Sequence, residues 1–266
     1  MCNFEQMVKE FDEVRVDPES YFRNFFDKGK LKNYSIDAEA DKNAIKAIKT
    51  MFGSSKNLLE RCEKALTYDP LCREAFFVYY LLSEDIYVNY RFEAYYDQLN
   101  AYGDLSAYQK KCYLIILSFY VDFLMDIGNY TRGIRVQRQI MRLTSCLSHK
   151  EINCLSFMYS QIEEADDFYR LFLDRTFDAY DYLLLIVTLL KHEDMLRAKE
   201  VTKDMLKNIE YASYLDHLWD LDDHDEKQRA FYEVVDDLYD SIRAIPDFFT
   251  FINMVREESE GTLKVL

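Results

Sequence analysis

The sequence predicts an all-α protein in which short links join consecutive helices into antiparallel hairpins. Three observations support this fold class. Apolar residues recur at the helical period along almost the whole chain. The 266 residues include 6 glycines and 3 prolines, fewer than a sheet-rich protein of this length needs for its turns. The segments between the periodic stretches are short and rich in Asn, Asp, Ser and Gly, and short links make neighbouring helices antiparallel.

The helices follow one another from the N-terminus with few gaps. Two short helices are expected over 4–14 and 19–28, the second with Pro18 near its start. A lysine-rich helix over 37–52 ends at Gly53, and another follows over 55–67. Asp69-Pro70 then interrupts the chain, because proline disfavours a helical residue before it. Further helices are expected over 72–86, 90–101, 106–127, 131–146, 148–162, 165–175, 178–191, 194–208 and 225–244, with a last one opened by Pro246.

The segment from Glu39 to Pro70 resembles a tetratricopeptide repeat, a 34-residue helix–turn–helix unit. Gly53, Ala65 and Asp69-Pro70 fall at that family's turn, small-residue and closing positions, and a second stretch, "GNYTRGI" over 128–134, matches its Gly-x-Tyr-x-x-small pattern. Repeat units are expected to start near residues 39, 73, 114, 148 and 179.

The resemblance implies an α-α superhelix. This is a solenoid like that of tetratricopeptide repeats (TPR-like), in which each hairpin buries its apolar face by stacking on the next. It divides the chain into N-terminal helices over 1–36 that pack on the first repeat, repeats over 37–210, and capping helices with an acidic segment over 211–266. An irregular all-helical fold with similar helix lengths stays open as the alternative.

A repeat stack also implies a concave face, lined mainly by the first helix of each hairpin. The family's groove positions fall on a set of apolar and acidic residues, which favours a peptide with apolar anchors and some basic side chains. The alternative is that these side chains pack against the additional terminal helices. The expected groove residues are Glu74, Phe77, Leu81, Glu84, Ile115, Ser118, Asp122, Met125, Tyr180, Leu183 and Val187.

A second candidate surface is an arginine stripe made of Arg132, Arg135, Arg138 and Arg142. At helical spacing these residues share roughly a third of a turn, and residues 129–150 contain no acidic residue. Arginine recognises carboxylates and phosphates, so the stripe is a candidate for an acidic partner or a contact between subunits. A solvated face paired with acids on neighbouring helices is the simpler interpretation.

The segment "DHLWDLDDHDE" over 216–226 is a third candidate. It places His217 and His224 seven residues apart among several carboxylates, but it lacks the i, i+3 or i+4 ligand spacing of a helical metal site. An acidic linker, with Asp222 or Asp223 capping the next helix, is the simpler interpretation. Residues 210–240 hold 11 acidic and 2 basic residues, so this segment is also a candidate docking surface for a basic partner.

The charge, the apolar stretches and the cysteines of the chain limit the partners and the cellular compartment that we expect. The net charge of −15 disfavours direct binding to nucleic acid or to an anionic membrane. The longest apolar stretch, over 182–190, is too short to span a bilayer. The six cysteines are scattered without the spacing of a zinc or redox site, as expected for reduced thiols in the cytoplasm. Neither a cofactor nor a bound metal is expected.

The sequence therefore favours a non-enzymatic scaffold that binds a protein or peptide, with a homodimer left open. In that class it resembles the repeat portion of bacterial peptide-sensing regulators, without a DNA-binding domain of the kind that many of them carry. Two alternatives remain: a metal-dependent enzyme with a site near His217 and His224, and an acidic decoy that occupies a basic protein surface. No G-x-G-x-x-G, P-loop or G-x-S-x-G motif is present to favour an enzyme.

Overall fold

A computed structural model describes residues 1–54, 57–98, 104–144, 149–212, 215 and 226–261. Within these ranges the regular secondary structure is helical, apart from one isolated β-bridge between Cys2 and Tyr34. This confirms the predicted all-α class for the described part of the chain. The chain divides into two compact units, Met1–Phe123 and Leu124–Leu266.

The first unit is a succession of helices that pack on their near neighbours in sequence. α3 contacts both α4 and α5, α4 contacts α5, and α2 lies against α4 and α5. The elements are α1 (Phe4–Val14), α2 (Pro18–Phe25), a 3-10 helix (Lys28–Asn33), α3 (Lys42–Met51), α4 (Leu58–Tyr68), α5 (Arg73–Leu82), α6 (Asp85–Gln98) and most of α7 (Ala107–Asp126).

The break at Asp69-Pro70 separates α4 from α5, as the sequence predicts. The Asp69 carboxylate accepts a hydrogen bond from the backbone N–H of Leu71 at 3.0 Å, and its backbone carbonyl accepts the N–H of Cys72 at 3.1 Å. These two bonds satisfy backbone donors in the turn, so α5 begins at Arg73 without a longer loop. The buried site raises the pKa of Asp69 to about 6, mainly because the charged carboxylate loses its hydration.

The link between α5 and α6 lies earlier than the predicted link at 87–89. α5 ends at Leu82, and α6 begins at Asp85 and runs through the segment "VNY". Val88 and Phe92, four residues apart, are both buried, so this segment presents one apolar helical face. The prediction of helices over 72–86 and 90–101 is wrong at this boundary, because Asn89 lies within the helix although asparagine favours turns.

The core of the first unit is built from aromatic rings around Phe77 on α5. The Phe77 ring lies 5.7 Å from the rings of Phe11 and Phe22 and 5.1 Å from that of Phe119, measured between centroids. Phe11 belongs to α1 and Phe22 to α2. The two N-terminal helices therefore cover this face of α5 with aromatic side chains, each of which buries a large apolar area.

The second unit begins with the end of α7 and repeats the same neighbour packing. α9 contacts α8, α10 and α11, while α11 also contacts α12, α13 and α14, and α12 contacts α15. The first helices of two successive hairpins, α9 and α11, thus lie against each other. The elements are α8 (Tyr130–Leu143), α9 (His149–Gln161), α10 (Ala165–Asp174), α11 (Ala179–Lys191), α12 (Met195–Asn208), α13 (Glu226–Asp237), α14 (Tyr239–Arg243) and α15 (Phe248–Ser259).

Two glycines fix the geometry around α8. Gly128 has φ +71° in the turn that precedes α8, a conformation that L residues with a side chain adopt at a cost. A Cβ at Gly133 would lie 2.5 Å from the Met158 sulfur, so a hydrogen at this position lets α8 approach α9 closely. The positive φ at Gly128 and the close helix approach at Gly133 are the local reasons for glycine at these two positions.

The C-terminal part differs from the prediction in one respect. The single helix expected over 225–244 is two helices, α13 and α14, interrupted at Leu238, whose side chain is buried. No described helix is both long and apolar enough to cross a membrane.

Candidate functional site

Two of the predicted groove residues lie in the interior of the first unit. Glu74 is buried and accepts a hydrogen bond of 2.9 Å from the Tyr34 hydroxyl, and its other oxygen lies 3.7 Å from the Cys72 sulfur. Phe77 is enclosed by the aromatic cluster described above. α1 and α2 thus occupy the face that the repeat register assigns to a partner, which is the alternative that the sequence left open.

The next four predicted residues keep some exposure. Glu84 and Ser118 are exposed, and Leu81 and Asp122 are half-buried. The Ser118 hydroxyl donates a hydrogen bond of 3.0 Å to the backbone carbonyl of Leu114 on its own helix. These residues are distributed over α5, the α5–α6 link and α7. In the first unit, Ile115 instead lines an apolar cavity of about 820 Å³ together with Phe4, Val8, Leu114 and Phe119.

Met125 and Tyr180 are brought together by the second unit. They line one open cavity of about 630 Å³, to which α7, α9 and α11 all contribute. Leu183 and Val187, the other predicted groove residues of α11, are buried. We call this feature the α7–α9–α11 cavity; it is lined by Met125, Asp126, Lys150, Asn153, Cys154, Phe157 and Tyr180.

Hydrogen bonds at the start of α11 hold Tyr180 in place. Asp178 caps α11 by accepting the backbone N–H of Asp181 at 3.1 Å, and Asp181 in return accepts the backbone N–H of Asp178 at 3.3 Å. The side-chain amide of Asn153 donates to Asp178 at 3.1 Å, which ties α9 to this cap. This reciprocal cap fixes the first turn of α11, where Tyr180 is the second residue.

The α7–α9–α11 cavity has a largely apolar lining with acidic residues nearby. The side chains of Met125, Cys154, Phe157 and Tyr180 provide the apolar surface, and Lys150 is the one basic residue among the described lining residues. Burial raises the pKa of the Tyr180 phenol to about 12, and the carboxylates of Asp181, Asp237 and Asp178 add to that shift. Acidic residues at the start of α11 and on α13 therefore contribute negative charge near the tyrosine.

Within the arginine stripe of α8, Arg138 pairs with an acidic residue of a neighbouring helix. Arg138 makes an ion pair of 2.8 Å with Asp167 on α10, and its guanidinium lies 5.6 Å from the ring centre of Tyr159. Arg135 and Arg142 are exposed, while Arg132 is half-buried. The expected pairing with acids on a neighbouring helix is thus present at Arg138, and Arg142 lines a cavity beside it.

The candidate metal segment is not part of the described structure. His217, His224 and the aspartates between them lie outside the described residues, so the enzyme and decoy alternatives built on them stay predictions. Among the described residues, no group of three or more His, Cys, Asp or Glu side chains is arranged to hold a metal ion.

Comparison of the chain with models of protein families, with curated proteins and with solved structures gives no match.

Proposed function

We propose that this chain is a non-enzymatic protein that binds a peptide or protein segment in the α7–α9–α11 cavity, within a TPR-like succession of helical hairpins. The observation that carries the proposal is the meeting of Met125 and Tyr180 in one open cavity. The repeat resemblance assigned both residues to a groove from sequence alone, although they are 55 positions apart in the chain.

The packing of α9 on α11 supports the repeat interpretation. In a stack of helical hairpins, the first helices of successive hairpins lie side by side and form a continuous wall. α9 and α11 are the first helices of the hairpins α9–α10 and α11–α12, and they contact each other. A partner in the cavity would therefore touch adjacent repeats at once.

The chemistry of the cavity favours an amphipathic, basic segment. An apolar anchor of the partner would bury itself against Met125, Phe157 and Tyr180, where each buried methylene contributes about 0.8 kcal/mol. Basic side chains of the partner would face the carboxylate of Asp126, which lines the cavity, and the charge of Asp237 acts on Tyr180 from outside that lining. The net charge of −15 would accelerate association with such a partner.

Selection of random peptides on the intact chain, followed by titration of the enriched peptides, tests this function. We expect the enriched peptides to combine an aromatic or branched apolar residue with Lys or Arg. The variant Tyr180→Ala should weaken their binding by about tenfold or more, as for a buried aromatic anchor. Lys150→Glu should strengthen it, because it removes the single positive charge at the cavity.

A matched control separates a local effect from a change in overall charge. Lys207 on α12 is exposed and does not line the cavity, so Lys207→Glu changes the net charge by the same amount at a distance. Equal strengthening by Lys150→Glu and Lys207→Glu would contradict binding in the cavity. Unchanged affinity in Tyr180→Ala, with an unchanged circular dichroism spectrum, would reject the proposal.

A further inference from the structure

A second cavity, of about 390 Å³, lies between α8, α9 and α10 in the second unit. Four arginines line it: Arg138 and Arg142 from α8, Arg170 from α10, and Arg175 directly after α10. Such a concentration of guanidinium groups is unexpected in a chain with a net charge of −15. We call this feature the arginine cavity.

Two of the four arginines share one carboxylate. Arg138 approaches one oxygen of Asp167 at 2.8 Å, and Arg170 approaches the other oxygen at 3.1 Å. One negative charge therefore compensates two guanidinium groups, and Asp167 holds both of them at the cavity.

The other two arginines, Arg142 and Arg175, have no ion pair or side-chain hydrogen bond within the described part of the chain. The second carboxylate of the cavity, Asp174, is exposed. Four arginines against two aspartates leave an excess of two positive charges around one small volume. Like charges gathered in this way repel one another, so an anion in the cavity would stabilise the arrangement.

We propose that the arginine cavity binds the phosphate group of an organic phosphomonoester. A phosphomonoester carries a charge of about −1.5 to −2 at neutral pH, which matches the local excess, whereas a single carboxylate carries only one negative charge. The planar guanidinium forms paired hydrogen bonds to phosphate oxygens. The half-buried Leu171 and the largely buried Tyr159 also line the cavity, and the organic part of the ligand would pack mainly against Leu171.

Calorimetric titration of the full chain with phenyl phosphate at low ionic strength tests this site. We expect saturable binding that weakens by at least about tenfold in the double variant Arg142→Ala/Arg175→Ala, because hydrogen bonds to charged groups are lost. Arg135→Ala is the matched control, since Arg135 is an exposed arginine of α8 that does not line the cavity. It should leave the affinity unchanged.

Asp174→Asn distinguishes a binding site from a merely structural cluster. Removing this carboxylate should strengthen phenyl phosphate binding by about two- to fivefold, because the anion no longer meets its negative charge. If Asp174 instead has a structural role, Asp174→Asn would weaken binding or leave it unchanged, and either result would count against the proposal.

Two further ligands test which chemical class of anion the arginine cavity binds. Inorganic phosphate should bind more weakly than phenyl phosphate, because it has no organic part, and benzoate, with one negative charge, should bind more weakly still; equal binding of the two phosphates would overturn the assignment to an organic ester. Equal binding of benzoate and phenyl phosphate would overturn the assignment to a phosphate group. Absence of saturable binding by either phosphate, or equal binding by the double variant, would overturn the site.

Discussion

The buried pair of Arg73 and Glu74 at the start of α5 yields a quantitative prediction. The Arg73 Nε and a Glu74 carboxylate oxygen lie 3.5 Å apart, and the two side chains are 6% and 1% exposed. Arg73 also lies over the Phe4 ring, with 4.8 Å between the guanidinium carbon and the ring centre. The change Glu74→Gln keeps the shape of the side chain and an acceptor for the Tyr34 hydroxyl, but it removes the negative charge.

The size of the effect follows from the geometry. At 3.5 Å and an effective dielectric constant of about 20, the attraction between the two charges is about 5 kcal/mol. Relief from burying the carboxylate offsets part of this loss, whereas Arg73 would remain buried without its counter-charge. Loss of one partner from a buried pair costs about 3–5 kcal/mol, so we expect the free energy of unfolding to fall by about 2–4 kcal/mol.

Urea denaturation followed by circular dichroism measures this change, and hydrogen exchange of peptides from the first unit locates it. Glu84→Gln, at an exposed position two residues after α5, is the control and should shift stability by less than about 0.5 kcal/mol. The double variant Arg73→Met/Glu74→Gln should recover part of the loss, because no uncompensated charge remains. If Glu74→Gln proves no more destabilising than Glu84→Gln, the buried pair does not stabilise this unit.

Three further changes test other features of the fold. Gly128→Ala should cost about 1 kcal/mol in thermal denaturation because of the positive φ, whereas Gly29→Ala, which has open space and no positive φ, should not destabilise the protein. Gly133→Val should destabilise by about 1–3 kcal/mol, because its side chain meets the Met158 sulfur; a neutral result would show that α8 and α9 separate easily. Asp69→Asn should remove a pH dependence of the free energy of unfolding. Because the pKa of Asp69 in the folded protein is raised to about 6, the wild type should lose about 2 kcal/mol of stability relative to this variant as the pH rises from 4 to 7. Parallel plots of stability against pH for the two proteins would refute the assignment.

Local sequence signals predicted most of the helices. The Asp69-Pro70 break and the turn at Gly128 rest on backbone chemistry that acts within a few residues, and both lie where the sequence places them. The α5–α6 boundary was misplaced because Asn89 is an ordinary helical residue when Val88 and Phe92 pack into a core. Burial, which is a tertiary effect, outweighed the turn preference of a single residue.

The site was predicted less completely, for a different reason. A repeat register tells which residues share a face of a helix, but not which other helices return to cover that face. The repeat register places Phe77 in a groove, yet Phe11 of α1 and Phe22 of α2 pack on it from a distant part of the sequence. Leu183 and Val187 lie on α11, which is buried on several sides, so of the three groove residues predicted on this helix Tyr180 is the one that lines the α7–α9–α11 cavity.

The link between the first residues and α5 has a practical consequence for dividing this protein. The backbone of Cys2 bonds to Asn33 and Ser35, and Tyr34 reaches Glu74 through its hydroxyl. A fragment that starts at Glu39, the first residue of the repeat-like region, would therefore leave the rings of α5 facing water and Glu74 without its phenol. Such a fragment is expected to aggregate on expression, so domain boundaries for deletion studies should keep residues 1–36 attached to the helices that follow.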